Sequence, residues 1–487
     1  MEKICLELEN IELIFYDQVI LDIPRLAVHQ FDRIGIVGQN GAGKSTLLKL
    51  LHGQIQPDKG KVHRFADFAY FDQLAKPAEK EADYELLGKL AVPSTDISHL
   101  SGGEQTRMKL AQLFSTYQEG LLIDEPTTHL DTAGTTFLIE ELTYYYGALV
   151  LVSHDRFVLD KLITKVWEIE GGKITEYTGN YSDYVAQKEL QRTQQYEQHE
   201  KYVKEKDRLL KAAEEKMKKA EKITEANKRI SKKGTKAMAN RMFETKSKGT
   251  SQKAVQRAAK GIERRVEQLK TVEAPDKERA LYFHQSAALK LHNKFPIMAD
   301  QLTLEFGKNT LLKDASFQFS LGSTIAITGK NGSGKTTLLQ HILQHGEGIS
   351  ISPKAVIGAY YQMSYQFEKD ETILAYMKQR SDYDEGKIRA ALHAMNFTGN
   401  DLKKKTSTLS GGETIRLLLC QLFLGRYNIL ILDEPTNFLD IFCIEALEKF
   451  LKAYKGTVIL VSHDRTFTER VADTVYILES QQLKILN

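Results

Sequence analysis

Short runs of β-branched and leucine residues, each ending at a glycine-rich turn or a carboxylate, recur along this chain between leucine-rich stretches of helical character. Arg33-Ile-Gly-Ile-Val and Thr324-Ile-Ala-Ile-Thr form one pair of runs. Gly120-Leu-Leu-Ile-Asp and Asn428-Ile-Leu-Ile-Leu-Asp form a second, and Ala148-Leu-Val-Leu-Val and Thr457-Val-Ile-Leu-Val a third. Continuous rather than alternating apolar character marks strands buried on both faces, as in a parallel sheet covered by helices. The expected fold class is therefore α/β. The stretch Tyr144–Val152 reads as a buried strand, and no apolar run approaches the roughly 18–20 residues that span a bilayer.

The pairing of these runs is a duplication. Ser101 and Ser410, Glu125 and Glu434, and His154 and His463 are each separated by 309 positions; Lys44 and Lys335 are separated by 291, and Gln73 and Gln362 by 289. The second copy therefore holds about 20 additional residues between its glutamine and its serine, placed in a helical subdomain. The expected domain limits are 1–181 for the first copy, 182–294 for a linker and 295–487 for the second copy.

Between the copies the pattern changes. Tyr184 to about Ile230 has neither proline nor glycine and is rich in Glu, Lys, Gln and Ala, which predicts one long helix. A second helix from about Ser251 to Thr271 would return antiparallel, with a bend over residues 231–250 and an exit at Glu273-Ala-Pro275. Forty-odd residues at about 1.5 Å each make a rod of roughly 60–70 Å.

Charge sharpens this picture. The whole chain carries +3, yet Lys188 to Lys270 holds 25 Lys/Arg against 12 Asp/Glu, a net +13, leaving −10 for the rest. From Ala226 to Lys260 there are 11 basic residues and one acid, Glu244. A single-sign segment on an otherwise acidic protein is a footprint for a polyanion, and a solvated spacer helix is its plainer alternative. The rest of the composition is that of a soluble globular protein, 42% hydrophobic and 27% charged. Cys5, Cys420 and Cys443 are scattered without metal-ligand spacing and read as buried reduced thiols. Trp167 reads as strand packing. The first residues lack the basic start and apolar core of a signal peptide, so a cytoplasmic protein is expected.

The chemistry sits at the strand ends. Gly38-Gln39-Asn40-Gly41-Ala42-Gly43-Lys44-Ser45-Thr46 and Gly329-Lys330-Asn331-Gly332-Ser333-Gly334-Lys335-Thr336-Thr337 are P-loops. Their glycines let successive backbone N–H groups face phosphates, and the following helix N-terminus adds positive potential. Lys44 and Lys335 should reach the β- and γ-phosphates of ATP, while Ser45 and Thr336 hold Mg²⁺. Asp124 and Asp433 should hold the metal through water, and Glu125 and Glu434, one residue later, are placed to polarise an attacking water. His154 and His463 would contact the γ-phosphate region, and Gln73 and Gln362 could sense the metal. Phe15/Tyr16 and Phe306 are either adenine-stacking or core aromatics. Ser101-Gly102-Gly103-Glu104 and Ser410-Gly411-Gly412-Glu413 separate this class from other P-loop proteins.

These motifs resemble the F subfamily of ATP-binding cassette proteins over essentially the full length. Glu125-Pro-Thr-Thr-His-Leu-Asp131 and Glu434-Pro-Thr-Asn-Phe-Leu-Asp440 are similar to the subfamily's Glu-Pro-Thr-Asn-His-Leu-Asp, with departures at Thr128 and Phe438. The resemblance implies two tandem nucleotide-binding domains joined by a helical hairpin, an ATPase activity, and head-to-tail closure within one monomer. Lys44 and Glu125 would then face Ser410, and Lys335 and Glu434 would face Ser101. It further implies a 70S ribosome partner: the 50S subunit near the E site, with 23S rRNA and P-site tRNA within reach of the hairpin. Only 26 residues separate Gln73 from Leu100, leaving no room for the arm insertion of some housekeeping members, and the chain stops soon after its last strand. This combination is most similar to the antibiotic-resistance members, specifically the Msr-type macrolide and streptogramin B protection factors. Arg241, Met242 and Phe243 fall at the expected hairpin tip, where they would approach a drug or tRNA end, or else pack the hairpin.

Three rivals share parts of this pattern. A housekeeping translation factor would carry the same sites. A transporter ATPase would have no evident use for a basic hairpin in docking a membrane subunit. A chromosome-maintenance ATPase places its coil inside one cassette, whereas here each cassette is whole before the coil begins.

Overall fold

The computed structural model describes residues 3–16, 18–73, 75–78, 82–93, 99–128, 130–232, 257–258, 260–262, 264–269, 272, 290–307, 309–361, 367 and 369–486. They fall into two compact units, one of Met1–Tyr184 with Ala280–Asn487 and one of Val185–Arg279.

The first unit contains both copies. Each has a six-stranded sheet of the same order. In the first the order is Phe68–Phe71, Gly120–Asp124, Ala148–Val152, Arg33–Gly38, Lys165–Glu170, Lys173–Thr178. In the second it is Ile357–Tyr360, Ile429–Asp433, Thr457–Val461, Thr324–Thr328, Thr474–Glu479, Gln482–Leu486. Five strands are parallel and the last pairs antiparallel. The strands Gly120–Asp124 and Ala148–Val152 are buried at every position, as are Ile429–Asp433 and Thr457–Val461. This is the physical counterpart of their unbroken apolar sequence.

Register brings the chemistry to one edge. Val152 is level with both Ile36 and Asp124, so the first P-loop, Glu125 and His154 leave the sheet side by side. Val461 is level with Ile327 and Asp433 in the same way. Ligands of open α/β sheets bind beyond such carboxyl ends. A three-stranded antiparallel sheet flanks each copy, built from Ile4–Phe15, Gln18–His29 and Lys59–Arg64, and from Ile297–Phe306, Asn309–Phe319 and Ile349–Ile351.

The additional residues of the second copy lie in its helical subdomain. There Ile373–Arg380, Glu385–Ala394 and two 3-10 turns precede the helix Gly411–Leu424, whereas the first copy has Tyr84–Lys89 before Gly102–Phe114. The apolar stretch Tyr144–Val152 is not one strand. Tyr144 ends the helix Thr132–Tyr144, Tyr144 and Tyr146 are exposed, and the strand begins at Ala148, because Gly147 breaks the run. Trp167 is fully buried in its strand, its Nε1 donating to Glu176 at 2.9 Å. All three cysteines are buried and unpaired.

The helix that enters the second unit runs Tyr181–Lys232, 52 residues, longer at both ends than the sequence pattern suggests and about 78 Å long at 1.5 Å per residue. Its side chains at Tyr202, Lys206, Leu209 and Ala213 are half-buried or buried at the three-to-four spacing of a single face. Residues 257–258, 260–262 and 264–268 are also helical. The first two residues of the expected bend, Ser231 and Lys232, continue the helix; the rest of it, its exit and the tip residues Arg241, Met242 and Phe243 lie outside the described residues. No described helix is long and apolar enough to cross a membrane.

Candidate functional site: paired nucleotide clefts

Each P-loop closes on its own lysine. Lys44 Nζ donates to the Gly38 and Gln39 carbonyls at 2.8 and 3.1 Å, and Lys335 Nζ to those of Gly329 and Lys330 at 2.8 and 2.9 Å. Gly43 adopts φ 99° as it turns into the helix Lys44–His52, and Gly334 adopts φ 102° before Lys335–Leu343. These left-handed values favour glycine. Neither helix has a side-chain cap, which leaves its first-turn N–H groups suited to an anion. At Gly38 a Cβ would sit 2.8 Å from the Ile169 carbonyl, which excludes any larger residue.

Glu125 and Glu434 follow buried aspartates with φ of 49° and 48°, a costly conformation for a non-glycine residue. Each turns its carboxylate back to its switch histidine. Glu125 Oε2 accepts from the His154 amide at 3.2 Å, with Oε1 at 3.4 Å from His154 Nε2; the Glu434–His463 distances are both 3.4 Å. Burial pushes both carboxyls up to about 8, and pushes the imidazoles down to about 3 for His154 and about 4 for His463. The histidines are therefore neutral at physiological pH and act as hydrogen-bonding groups. Burial also raises Asp124 and Asp433, opposed by hydrogen bonds from Ser45 and Thr336.

The residues present fit a nucleotide with its divalent cation. Asp124 Oδ1, Glu125 Oε1, Asp433 Oδ1 and Glu434 Oε1 are buried without a hydrogen-bond partner. Asp124 and Asp433 each accept from a hydroxyl, that of Ser45 or Thr336, so the clefts offer oxygen donors of the kind Mg²⁺ prefers. Gln73 Nε2 donates to Thr128 Oγ1 at 3.2 Å, so the threonine that replaces the usual asparagine has a partner in the same cleft. Gln362 lies outside the described residues.

The signature serines cap their helices. Ser101 Oγ and N both reach Glu104 Oε2 at 2.7 Å, and Ser410 Oγ and N reach Glu413 Oε2 at 2.9 Å. Both form full capping boxes. Glu104 and Glu413 thus hold the signature turn in place.

The copies face each other head to tail. One cleft of about 940 Å³ is lined by Lys44, Glu125 and His154 together with Lys335, Glu434 and His463. Ser101 and Gly103 line it too, as do Phe15 and Phe306, while Tyr16 is fully exposed. A Cβ on Gly412 would lie 3.8 Å from Asn40 Nδ2, bringing the second signature to the first P-loop.

Of the residues that bridge the copies, Asn40 and Asn331 were P-loop candidates, whereas Asp131 and Asp440 were read from sequence only as the ends of the Glu125 and Glu434 motifs, with no role assigned. Asp440 Oδ2 accepts from the Asn40 amide at 2.8 Å, and Asp131 Oδ2 accepts from the Asn331 amide at 3.3 Å. The Phe438 carbonyl accepts from Asn40 Nδ2 at 3.1 Å. Asp131 and Asp440 share the 309-position offset of Glu125 and Glu434, and that spacing was the available signal.

Comparison with known proteins agrees with this geometry. A family model described as ABC transporter matches residues 21–84 and 312–437, and a further model of the same description matches residues 167–238. The chain is 39% identical over 487 residues to the erythromycin resistance ATP-binding protein MsrA of Staphylococcus epidermidis, covering 99% of each protein. The chain belongs to the ABC-F family, Msr type. This ABC-F protein is also 34% identical to the ribosome protection protein VmlR of Bacillus subtilis, over 98% of the chain and 87% of that relative. Among solved structures, the RNase-L Inhibitor superposes with a TM-score of 0.64 at 18% identity, covering 98% of this chain and 90% of that one, a likeness of fold alone. The ABC-F chain binds ATP and is an ATPase.

Proposed function

We propose that this ATPase binds the ribosome in its ATP-closed form and protects it from antibiotics of the macrolide and streptogramin type. The observation that carries the reading is end-to-end similarity, linker included, to a relative named for erythromycin resistance. A second relative, named for ribosome protection, supports it. The net +13 between Lys188 and Lys270 suits contact with rRNA phosphate, which supplies affinity with little sequence information.

In this reading the domains run 1–181, 182–294 and 295–487. Lys44 with Ser45, and Lys335 with Thr336, hold the phosphates of two ATP molecules. Asp124 and Asp433 orient the hydration shell of magnesium, with Gln73 and Gln362 at its edge. Magnesium bound there would neutralise charge on the β- and γ-phosphates. Glu125 and Glu434 orient the attacking water, and His154 and His463 steady the γ-phosphate. Closure presents the linker to the 50S subunit near the E site, and Arg241, Met242 and Phe243 reach toward the drug or the P-site tRNA end. Hydrolysis reopens the cassettes and releases the protein into the cytoplasm.

Expression in a sensitive host against a macrolide and streptogramin panel tests the reading. Raised tolerance that disappears with E125Q/E434Q supports protection. Unchanged tolerance across the panel would leave a housekeeping translation factor as the better account.

A further inference from the structure

The two nucleotide sites are built from duplicated parts, yet among the described residues one buried ion pair between the copies has no counterpart. Arg156, two residues after His154, is fully buried and pairs through Nη2 with Glu448 Oε1 on the facing copy. Glu448 is itself buried on the helix Ile441–Ala453, and its other oxygen lies 3.4 Å from Arg470 Nη1. That same helix is capped by Asp440, whose Oδ1 accepts from Cys443 and whose Oδ2 accepts from Asn40 of the first P-loop. One rigid element of the second copy therefore grips the first site twice, at its P-loop and behind its switch histidine.

The pseudo-equivalent arrangement is different at the second site. Arg465, the counterpart of Arg156, is exposed; it pairs within its own helix with Glu469 at 2.8 Å and, among the described residues, reaches the facing copy only through the Phe157 ring, 5.4 Å away, with no carboxylate there. The position that corresponds to Glu448 by the 309-residue offset is Ile139. An isoleucine offers no acceptor, so the second switch loop has no such clasp.

We propose that Glu448 is a positioning residue for ATP hydrolysis, holding the switch loop of the Lys44–Glu125 site closed through Arg156 and making the two sites unequal. The first site closes at lower ATP concentration and opens last; the second is the one that opens first. This rests on the assignment of the two ATP sites above and is independent of what the closed protein docks onto.

Single-turnover hydrolysis by the full-length protein tests it site by site. In an E434Q background, which leaves Glu125 as the active glutamate, adding E448I should raise the ATP concentration for half-maximal hydrolysis by about tenfold, the loss expected for one charge-assisted bond. In an E125Q background the same change should alter it by less than about twofold. The double change R156M/E448I removes both partners of the buried pair together and should keep the first-site defect while preserving the fold. I139E should offer Arg465 an acceptor on the facing copy and lower half-saturation at the second site. Equal shifts in the two backgrounds, recovery of the first site in R156M/E448I, or no gain from I139E would overturn the proposal. Loss of ribosome binding with these site differences intact would count against the proposed function instead.

Discussion

The Asn40 amide donates to Asp440 at 2.8 Å across 400 residues of sequence, and the same carboxylate caps the helix that begins at Ile441. Asp131 stands in the same relation to Asn331 and to the helix beginning at Thr132. Each aspartate thus ties the start of one helix to the P-loop of the other copy, so neither nucleotide site is complete within its own cassette.

Replacing both aspartates by asparagine separates these roles. Asparagine caps helices about as well as aspartate, so thermal stability should stay within about 0.5 kcal/mol of the parent. It weakens the charge-assisted bonds to the opposing P-loops, and ATPase activity should fall by roughly tenfold. A large loss of melting temperature with unchanged activity would mean that the carboxylates serve the helices alone.

The buried glutamates make stability depend on pH. Burial raises Glu125 and Glu434 to about 8 from an ordinary value of 4.5. Between those values the folded state keeps protons that the unfolded chain has released. Their contribution is therefore fully present below about pH 4.5 and is lost as pH rises through about 8. Without nucleotide, E125Q/E434Q should melt close to the parent at pH 5 and above it at pH 9, by roughly 1 °C for each kcal/mol in a chain of this length. A melting difference that shrinks with rising pH would contradict these environments.

Motif chemistry was legible in sequence because it is local. A P-loop, a Ser-Gly-Gly-Glu turn or an apolar strand ending in Asp-Glu each declares itself within a dozen residues, and duplication at fixed offsets repeated every declaration. Contacts between copies were not legible in this way. Asp440 after a leucine and Arg156 after His-Asp carry no local mark of partners hundreds of residues away. The one-sided pair appears only when Glu448 is compared with Ile139. The turn at Gly147 was hidden because tyrosines lengthened the apolar run ahead of a true strand.

The start of the linker helix is anchored by a buried carboxylate. Tyr184 and Tyr177 donate to the two oxygens of Glu168 at 2.7 and 3.2 Å, and all three side chains are buried. Y184F removes one donor and leaves a buried carboxylate oxygen under-satisfied, so it should destabilise the folded protein by about 1–3 kcal/mol. Chemical denaturation measures this; a midpoint equal to the parent's would show that Tyr184 contributes packing alone.

Whether ATP closure docks the protein on ribosomal RNA is decided by co-sedimentation of E125Q/E434Q with 70S ribosomes, with and without ATP at two salt concentrations. ATP-dependent co-sedimentation that weakens steeply between about 50 and 200 mM salt is expected, as phosphate contacts require. Protein that stays in the supernatant with ATP at the lower salt concentration would contradict it.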